Sequence, residues 1–484
     1  MAVTSKHFPA RGPIRESLRI AGEKVSHDRV IEVRHPYSGD CVGTVPKATL
    51  EDVRRALQTA RRFKSKLTRY ERYRILMKAG AIIATRRDAL AQLITLESGL
   101  CMKDSLYEVG RASDVLLFAA HQALVDDSSV FSCDLTAHGK SRKVYTLREP
   151  LLGAITAITP FNHPLNQVVH KVAPSVATNN RVVLKPSEKT PLTAYALADI
   201  LYEAGLPPQM LSVVTGDPAE IVDEMLTSPD VDLVTFTGGV SAGKYIAAKA
   251  VYKRQILELG GNDPIIVLED ADLEEAATLA AAGSYRNSGQ RCTAVKRMLV
   301  QQSVADRFVE LLLEKTRAVK YGDPFDPSMD MGTVIDEASA QRFENVVNQA
   351  VADGARLLHG NERRGALYSP TVLDRVSPGM MVVREETFGP VSPVIRFATV
   401  EDAIRIANGT SYGLSSSLCT NRLDLITRFI QELNVGSVNV REVPGYRLEM
   451  TPFGGIKDSG LGHKEGVLEA MKSFCNVKTY SLPW

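Results

Sequence analysis

The chain has 484 residues, 44% hydrophobic and 24% charged, and its 58 Lys and Arg against 56 Asp and Glu leave a formal net charge of +2. That length exceeds what one small core can use and predicts two or more domains, and the near-neutral balance gives no reason to expect nucleic acid or a membrane surface as partner. Six scattered cysteines form no Cys-x-x-Cys pair and lie near no histidine run, which argues against a disulfide framework or a metal site and for a reducing, cytoplasmic setting.

No apolar run approaches the ~20 residues of a membrane span. Residues Met1 to Arg19 are basic without a continuous apolar stretch, so a flexible terminus is expected rather than a secretory signal. From Val30 to Val45, β-branched residues flank Tyr37-Ser38-Gly39-Asp40, which predicts a hairpin. Thr49 with Asp52 makes a capping box for a helix carrying Val53, Leu57 and Ala60. Apolar residues at helical spacing then predict one long helix from about Arg72 to Glu97 and another from about Lys103 to Ala123, which carries Arg111. Between Asp126 and Pro150 the chain turns polar and then alternates in Lys143-Val144-Tyr145-Thr146-Leu147, the pattern of an exposed strand pair. Asn476 to Trp484 reads as a further strand. These peripheral strands can pair with each other or with a second subunit.

From Gly153 short apolar runs alternate with helical stretches: Ala154 to Thr159, Val182 to Leu184, Leu211 to Val214 and Leu233 to Thr237, separated by helices near Ala194 to Glu203 and Pro218 to Leu226. This alternation predicts a parallel, doubly wound sheet. A second series starts with Pro264 to Val267, followed by helices from Leu273 and from Ala305, so a second α/β domain is expected to begin near Gly260.

Several stretches carry chemistry. Thr159-Pro160-Phe161-Asn162-His163-Pro164 follows an apolar strand, where α/β folds place ligand groups, and the Asn162 amide can donate to a developing oxyanion. Thr237-Gly238-Gly239-Val240-Ser241-Ala242-Gly243-Lys244 runs from strand through glycine turn to helix, and a helix N-terminus suits a pyrophosphate. A Walker A loop would need Ser or Thr after Lys244, and Tyr245 stands there, which disfavours an NTPase. Glu258-Leu259-Gly260-Gly261-Asn262 sets a carboxylate before a backbone bend. Tyr285-Arg286-Asn287-Ser288-Gly289-Gln290-Arg291-Cys292-Thr293 puts a thiol beside an arginine, which favours the nucleophilic thiolate.

Taken together, these motifs resemble the aldehyde dehydrogenase superfamily along nearly the whole chain, with Asn408-Gly409-Thr410-Ser411-Tyr412-Gly413 and Pro452-Phe453-Gly454-Gly455 as further matches. The resemblance implies a Rossmann-type NAD-binding domain (1–125 and 151–259), a catalytic α/β domain (260–470) and a β oligomerisation arm (126–150 and 471–484), and hence a homodimer or homotetramer. It also implies Cys292 as nucleophile, Glu258 as the base that activates water, and Asn162 as oxyanion donor, with a thioester on Cys292 between the oxidation and hydrolysis steps. Lys185, Ser187 and Glu188 would serve the adenosine ribose, and Thr237, Gly238, Gly239 and Gly243 the pyrophosphate. Glu386 and Phe388 would lie on the nicotinamide side. Glu188 accepts hydrogen bonds from a 2′-hydroxyl and repels a 2′-phosphate, so NAD is expected over NADP. Two residues depart from common patterns in the family: Phe161 replaces a tryptophan and Gly239 a serine.

Arg111, His163 and Arg291 are expected to converge on the substrate mouth and to suit a small anionic aldehyde. Phe161-Asn162-His163-Pro164 with Gly289-Gln290-Arg291-Cys292 is similar to the bacterial phosphonoacetaldehyde dehydrogenases, which implies phosphonoacetaldehyde as substrate and phosphonoacetate as product. Lactaldehyde, glyceraldehyde 3-phosphate and succinate semialdehyde are the alternatives. A non-catalytic binding or structural protein is the remote one, disfavoured because Cys292, Glu258 and Asn162 are all present.

Overall fold

The computed structural model describes residues 12–462 and 465–483. Two seven-stranded sheets organise it. In the first, Arg254–Glu258, Val231–Thr237, Ala154–Ile158, Val182–Lys185 and Leu211–Val213 lie side by side in parallel. The hairpin Leu18–Ile20 and Glu23–Val25 then extends that sheet antiparallel, so it is not wholly parallel as the alternation predicts. Its two short strands fall below the length at which periodicity speaks. The fully buried strand Ala154–Ile158 starts the winding: its two successors lie on one side of it, and Val231–Thr237 lies on the other. That reversal opens a crevice at the strands' C-terminal ends, where such sheets bind ligands.

The second sheet runs in the order Arg356–His359, Thr371–Asp374, Val391–Phe397, Val295–Gln301, Asp263–Val267, Ser415–Cys419 and Ser437–Val440, parallel except for its first strand. The chain crosses between the sheets over Leu259 to Asn262. At its two glycines a side chain would not fit. A Cβ on Gly260 would lie 2.1 Å from Glu386 Oε2, and one on Gly261 would lie 2.4 Å from the Cys292 carbonyl oxygen. The two glycines thus let the backbone after Glu258 press against the nucleophile loop and Glu386 at once.

Thr49 and Asp52 close the expected capping box on the helix Leu50–Arg62. The long helix expected over Arg72 to Glu97 is two, Arg69–Thr85 and Arg87–Ser98. Arg86 leaves helical geometry (φ −107°, ψ 18°) and its guanidinium is held by Glu203 at 2.7 Å. The apolar spacing continues across the break, so the pattern carries no sign of it. The helix Met102–Ala123 packs on both neighbours and carries Arg111.

The peripheral strands pair within the chain. Lys143–Pro150 lies between Val130–Ser132 and Cys475–Leu482, antiparallel to both, and Tyr145 stacks on Tyr480 at 5.2 Å. Phe131, Val477 and Tyr480 are exposed on this ribbon. Trp484, the expected strand end, and Met1 to Arg11 lie outside the described residues, but the remainder of the terminus expected to be flexible is ordered into the strands Ile14–Arg15 and Leu18–Ile20, with Leu18 and Arg19 buried.

Candidate active site

One cavity of about 1070 Å³ opens at the crevice and reaches across to the second sheet. Asn162, Lys185, Ser187, Glu188, Thr237, Gly238, Gly239, Cys292, Glu386 and Phe388 all line it. Gly243, Glu258, Arg111, His163 and Arg291 do not.

The nucleophile loop is shaped by three consecutive left-handed residues, Asn287 (φ 58°), Ser288 (φ 53°) and Gly289 (φ 70°). Such geometry is unfavourable for non-glycine residues and needs anchoring. Asn287 supplies it: its N–H donates to Asp104 at 2.7 Å and its side-chain amide to the Asn162 carbonyl at 3.1 Å. Asn162 answers by donating Nδ2 to the Gln290 carbonyl at 2.8 Å. The oxyanion donor and the loop bearing Cys292 therefore hold each other. One Nδ2 hydrogen is used in that bond and the second is left for a substrate oxygen.

Burial pushes the Cys292 thiol up to about 11; Lys296 and Arg447 lower it, and Asp263 and Glu386 raise it. Arg291, expected to favour the thiolate, turns its Nη2 to the Gly283 carbonyl at 2.7 Å. The cations that act most on the sulfur are instead Lys296 and Arg447, neither of which stands beside Cys292 in sequence. Glu258, buried at the end of its strand, gives its carbonyl to the Gly238 N–H at 3.1 Å, which joins the candidate base to the glycine turn.

The cofactor half is built from the first sheet. Gly238 is required because a Cβ would sit 2.4 Å from the Phe236 ring, and Gly243 because one would sit 2.4 Å from Leu259. Gly239, at the N-cap of the helix Val240–Ala250, has no atom within 4 Å of its Cβ position, so the turn is open toward the cavity. Thr237 Oγ1 is buried without a hydrogen-bond partner. An open glycine turn, an orphaned hydroxyl and a helix N-terminus together fit a pyrophosphate. Lys185 stands 3.4 Å from Glu188, whose side chain is 43% exposed and available to a ribose. Glu386 accepts the Gly261 N–H at 3.1 Å and pairs with Lys296 at 2.9 Å. Phe388 meets Phe161 edge to face at 5.9 Å.

Behind the cysteine lies a network of charges. Arg111 pairs with Glu449, which also accepts from His170 at 2.6 Å and lies 3.7 Å from Arg447. Burial would raise the Glu449 carboxyl, but the His170 hydrogen bond and the charges of Arg447 and Arg111 hold it well below the usual range. Burial lowers the His170 imidazole, against the pull of that carboxylate. His163 sits 3.5 Å from Glu108, and burial lowers its imidazole against the pull of that carboxylate. Arg286 stacks 3.7 Å above Tyr107, whose other cationic neighbour is Arg111 at 5.9 Å. Two guanidinium N–H groups in this region, Arg291 Nε and Arg447 Nη1, are buried with no hydrogen-bond partner.

Lys296, Arg447 and Glu449 were missed from sequence. Lys296-Arg297 did leave a signal, since two adjacent cations inside the apolar strand Val295–Gln301 must find buried partners. Arg447 left none, because it sits in an irregular segment.

The family model described as the aldehyde dehydrogenase family matches residues 23–480. The chain belongs to the aldehyde dehydrogenase family. The 3-sulfolactaldehyde dehydrogenase of Priestia megaterium is 38% identical over 450 residues, 93% of this chain and 94% of that protein. The crystal structure of an NAD-dependent aldehyde dehydrogenase from Sinorhizobium meliloti superposes with a TM-score of 0.93 at 33% identity, covering 100% of this chain and 97% of that one. A glyceraldehyde-3-phosphate dehydrogenase from Methanocaldococcus jannaschii, complexed with NADP, gives 0.90 at 35% identity, covering 95% and 100%. This aldehyde dehydrogenase is accordingly an NAD(P)-dependent oxidoreductase. Among the described residues no group of three or more His, Cys, Asp or Glu could hold a metal, and no helix is long and apolar enough to cross a membrane.

Proposed function

We propose that this dehydrogenase oxidises a small anionic aldehyde to its carboxylate, with phosphonoacetaldehyde as the first candidate and phosphonoacetate as product. The observation that carries the anion is the pair of orphaned guanidinium N–H groups, Arg291 Nε and Arg447 Nη1. A buried unpaired donor costs about 1–3 kcal/mol, more when charged, and an anionic oxygen removes that cost. Arg111, Arg286, Arg291 and Arg447 gather here among the carboxylates of Glu449, Glu108, Asp104 and Asp114.

In the mechanism supported by this arrangement, Cys292 Sγ adds to the aldehyde carbon. The oxyanion accepts from the second Asn162 Nδ2 hydrogen and from the Cys292 N–H. NAD or NADP, when bound along Lys185, Glu188, the Gly238-Gly239 turn and Glu386, supplies the hydride acceptor. Glu258 then takes a proton from the water that cleaves the thioester at Cys292.

The test is kcat/KM for phosphonoacetaldehyde beside 3-sulfolactaldehyde, succinate semialdehyde, glyceraldehyde 3-phosphate, lactaldehyde and a neutral aldehyde of similar size. The expected result is a preference for the phosphonate over the neutral aldehyde of about 100-fold, or about 2.7 kcal/mol. Arg291→Met and Arg447→Met should each lose about 30-fold on the anion, about 2 kcal/mol, and little on the neutral substrate. Equal losses on both substrates would make these arginines structural.

The acidic Glu188 supports NAD over NADP. Glu188→Gln should narrow that preference by about tenfold in kcat/KM, measured with both cofactors. An unchanged ratio would place the discrimination elsewhere. The exposed apolar ribbon supports a homodimer or homotetramer, and the six free cysteines support a reducing, cytoplasmic setting.

A further inference from the structure

Lys296 has no part in the mechanism above, yet its side chain touches three parts of the site. Its side chain is 2% exposed. Its ammonium donates to the Cys292 carbonyl at 2.6 Å and to the Gly261 carbonyl at 2.8 Å, and it pairs with Glu386 at 2.9 Å. The Phe388 ring lies 5.7 Å away. An ammonium has three hydrogens, and all three are therefore committed. They join the nucleophile's own peptide, the turn after the candidate base, and the carboxylate on the nicotinamide side of the cavity.

We propose that Lys296 is a positioning residue that fixes the Cys292 peptide against Glu386 and tunes the thiol, so that its charge sets both cysteine reactivity and the orientation of the cofactor-facing carboxylate. The role of Glu386 toward the cofactor rests on the family resemblance; the effect on the thiol does not. The charged and titratable groups acting on Cys292 are Lys296, Asp263, Arg447 and Glu386, with Arg291 adjacent and Glu258 across the Gly260-Gly261 turn. Asp263 is buried, accepts the Ser415 N–H at 3.1 Å and is pushed up to about 7 by burial, against the pull of Lys296. Lys296 thus acts on two carboxyls beside the nucleophile, Asp263, which Arg297 also pulls down, and Glu386.

The signs separate this proposal from a structural role. Removing the cation disfavours the thiolate, whereas removing the Glu386 charge favours it. The experiment is alkylation of Cys292 by iodoacetamide in the enzyme without cofactor, followed by mass spectrometry as a function of pH. NADH and NADPH binding is titrated in parallel by fluorescence. Lys296→Met should alkylate about fivefold more slowly than the parent at pH 8, Lys296→Arg should recover part of that, and Glu386→Gln should alkylate about twofold faster. Lys296→Met should also bind the reduced cofactor about tenfold more weakly. Profiles for Lys296→Met and Glu386→Gln that superimpose on the parent, or shift in the same direction, overturn the proposal. If Lys296→Met does not fold, Lys296→Arg and Glu386→Gln decide: an unchanged or slower profile for Glu386→Gln overturns it. Normal alkylation shifts with unchanged cofactor binding would instead overturn only the assignment of Glu386.

Discussion

Replacing Cys292 with alanine should abolish aldehyde oxidation, a loss of at least about 10⁴-fold, while reduced-cofactor binding stays within a few-fold of the parent. The reasoning is positional. Cys292 is the one cysteine lining the cavity, and its loop is held by Asn287, Asp104 and Asn162 independently of the thiol. Cys101, Cys419 and Cys475 are buried, with thiols pushed up to about 12, 12 and 11 by burial, and serve packing. Burial also leaves Cys292 mostly protonated at neutral pH, since its folded value of about 11 lies above the ordinary one. Alkylation without substrate should therefore accelerate about tenfold per pH unit between pH 7 and 9, as the thiolate fraction grows. Turnover by the alanine variant within tenfold of the parent would move the nucleophile to another group.

Asn162→Ala should lower kcat by about 10²–10³, the cost of one missing oxyanion donor, with much less change in KM. Two effects combine here. The variant loses the Nδ2 hydrogen aimed at the substrate oxygen, and it also leaves the Gln290 carbonyl only the 3.4 Å bond from Asn287 Nδ2 and loosens the turn. Asn162→Asp separates them: it keeps the shape but presents an acceptor where a donor is needed, and should be at least as slow. If Asn162→Ala changed KM and kcat alike for neutral and anionic aldehydes while its melting temperature fell sharply, Asn162 would be a loop clamp and no more.

The sequence made the reacting groups legible because they sit in short motifs with strong local demands. Gly238 and Gly243 are forced by Phe236 and Leu259, and Gly260 and Gly261 by the Glu386 side chain and the Cys292 carbonyl, so those glycines mark places where the backbone must be closely approached. The sheet alternation was equally plain, since its central strands are buried apolar runs. Charge was not legible. Arg291 was read as a partner of the thiol because it is adjacent, yet its guanidinium faces Gly283, and His163 was read toward the substrate although it sits against Glu108, outside the cavity lining. Whether a buried cation is free to meet a ligand depends on partners such as Glu449, which is 338 residues from Arg111. The break at Arg86 failed for a similar reason, as it is anchored by Glu203 and not by local pattern.

The arm has a consequence in time. Lys478 pairs with Glu149 across 329 residues, so on a ribosome the strand Lys143–Pro150 emerges long before Cys475–Leu482 exists. At roughly 5–20 residues per second, that edge waits on the order of 15–65 s with only Val130–Ser132 beside it. A nascent chain is open throughout that interval to pairing with a neighbour on the same message, and slowing translation after Pro150 should raise the share of mispaired, aggregated product.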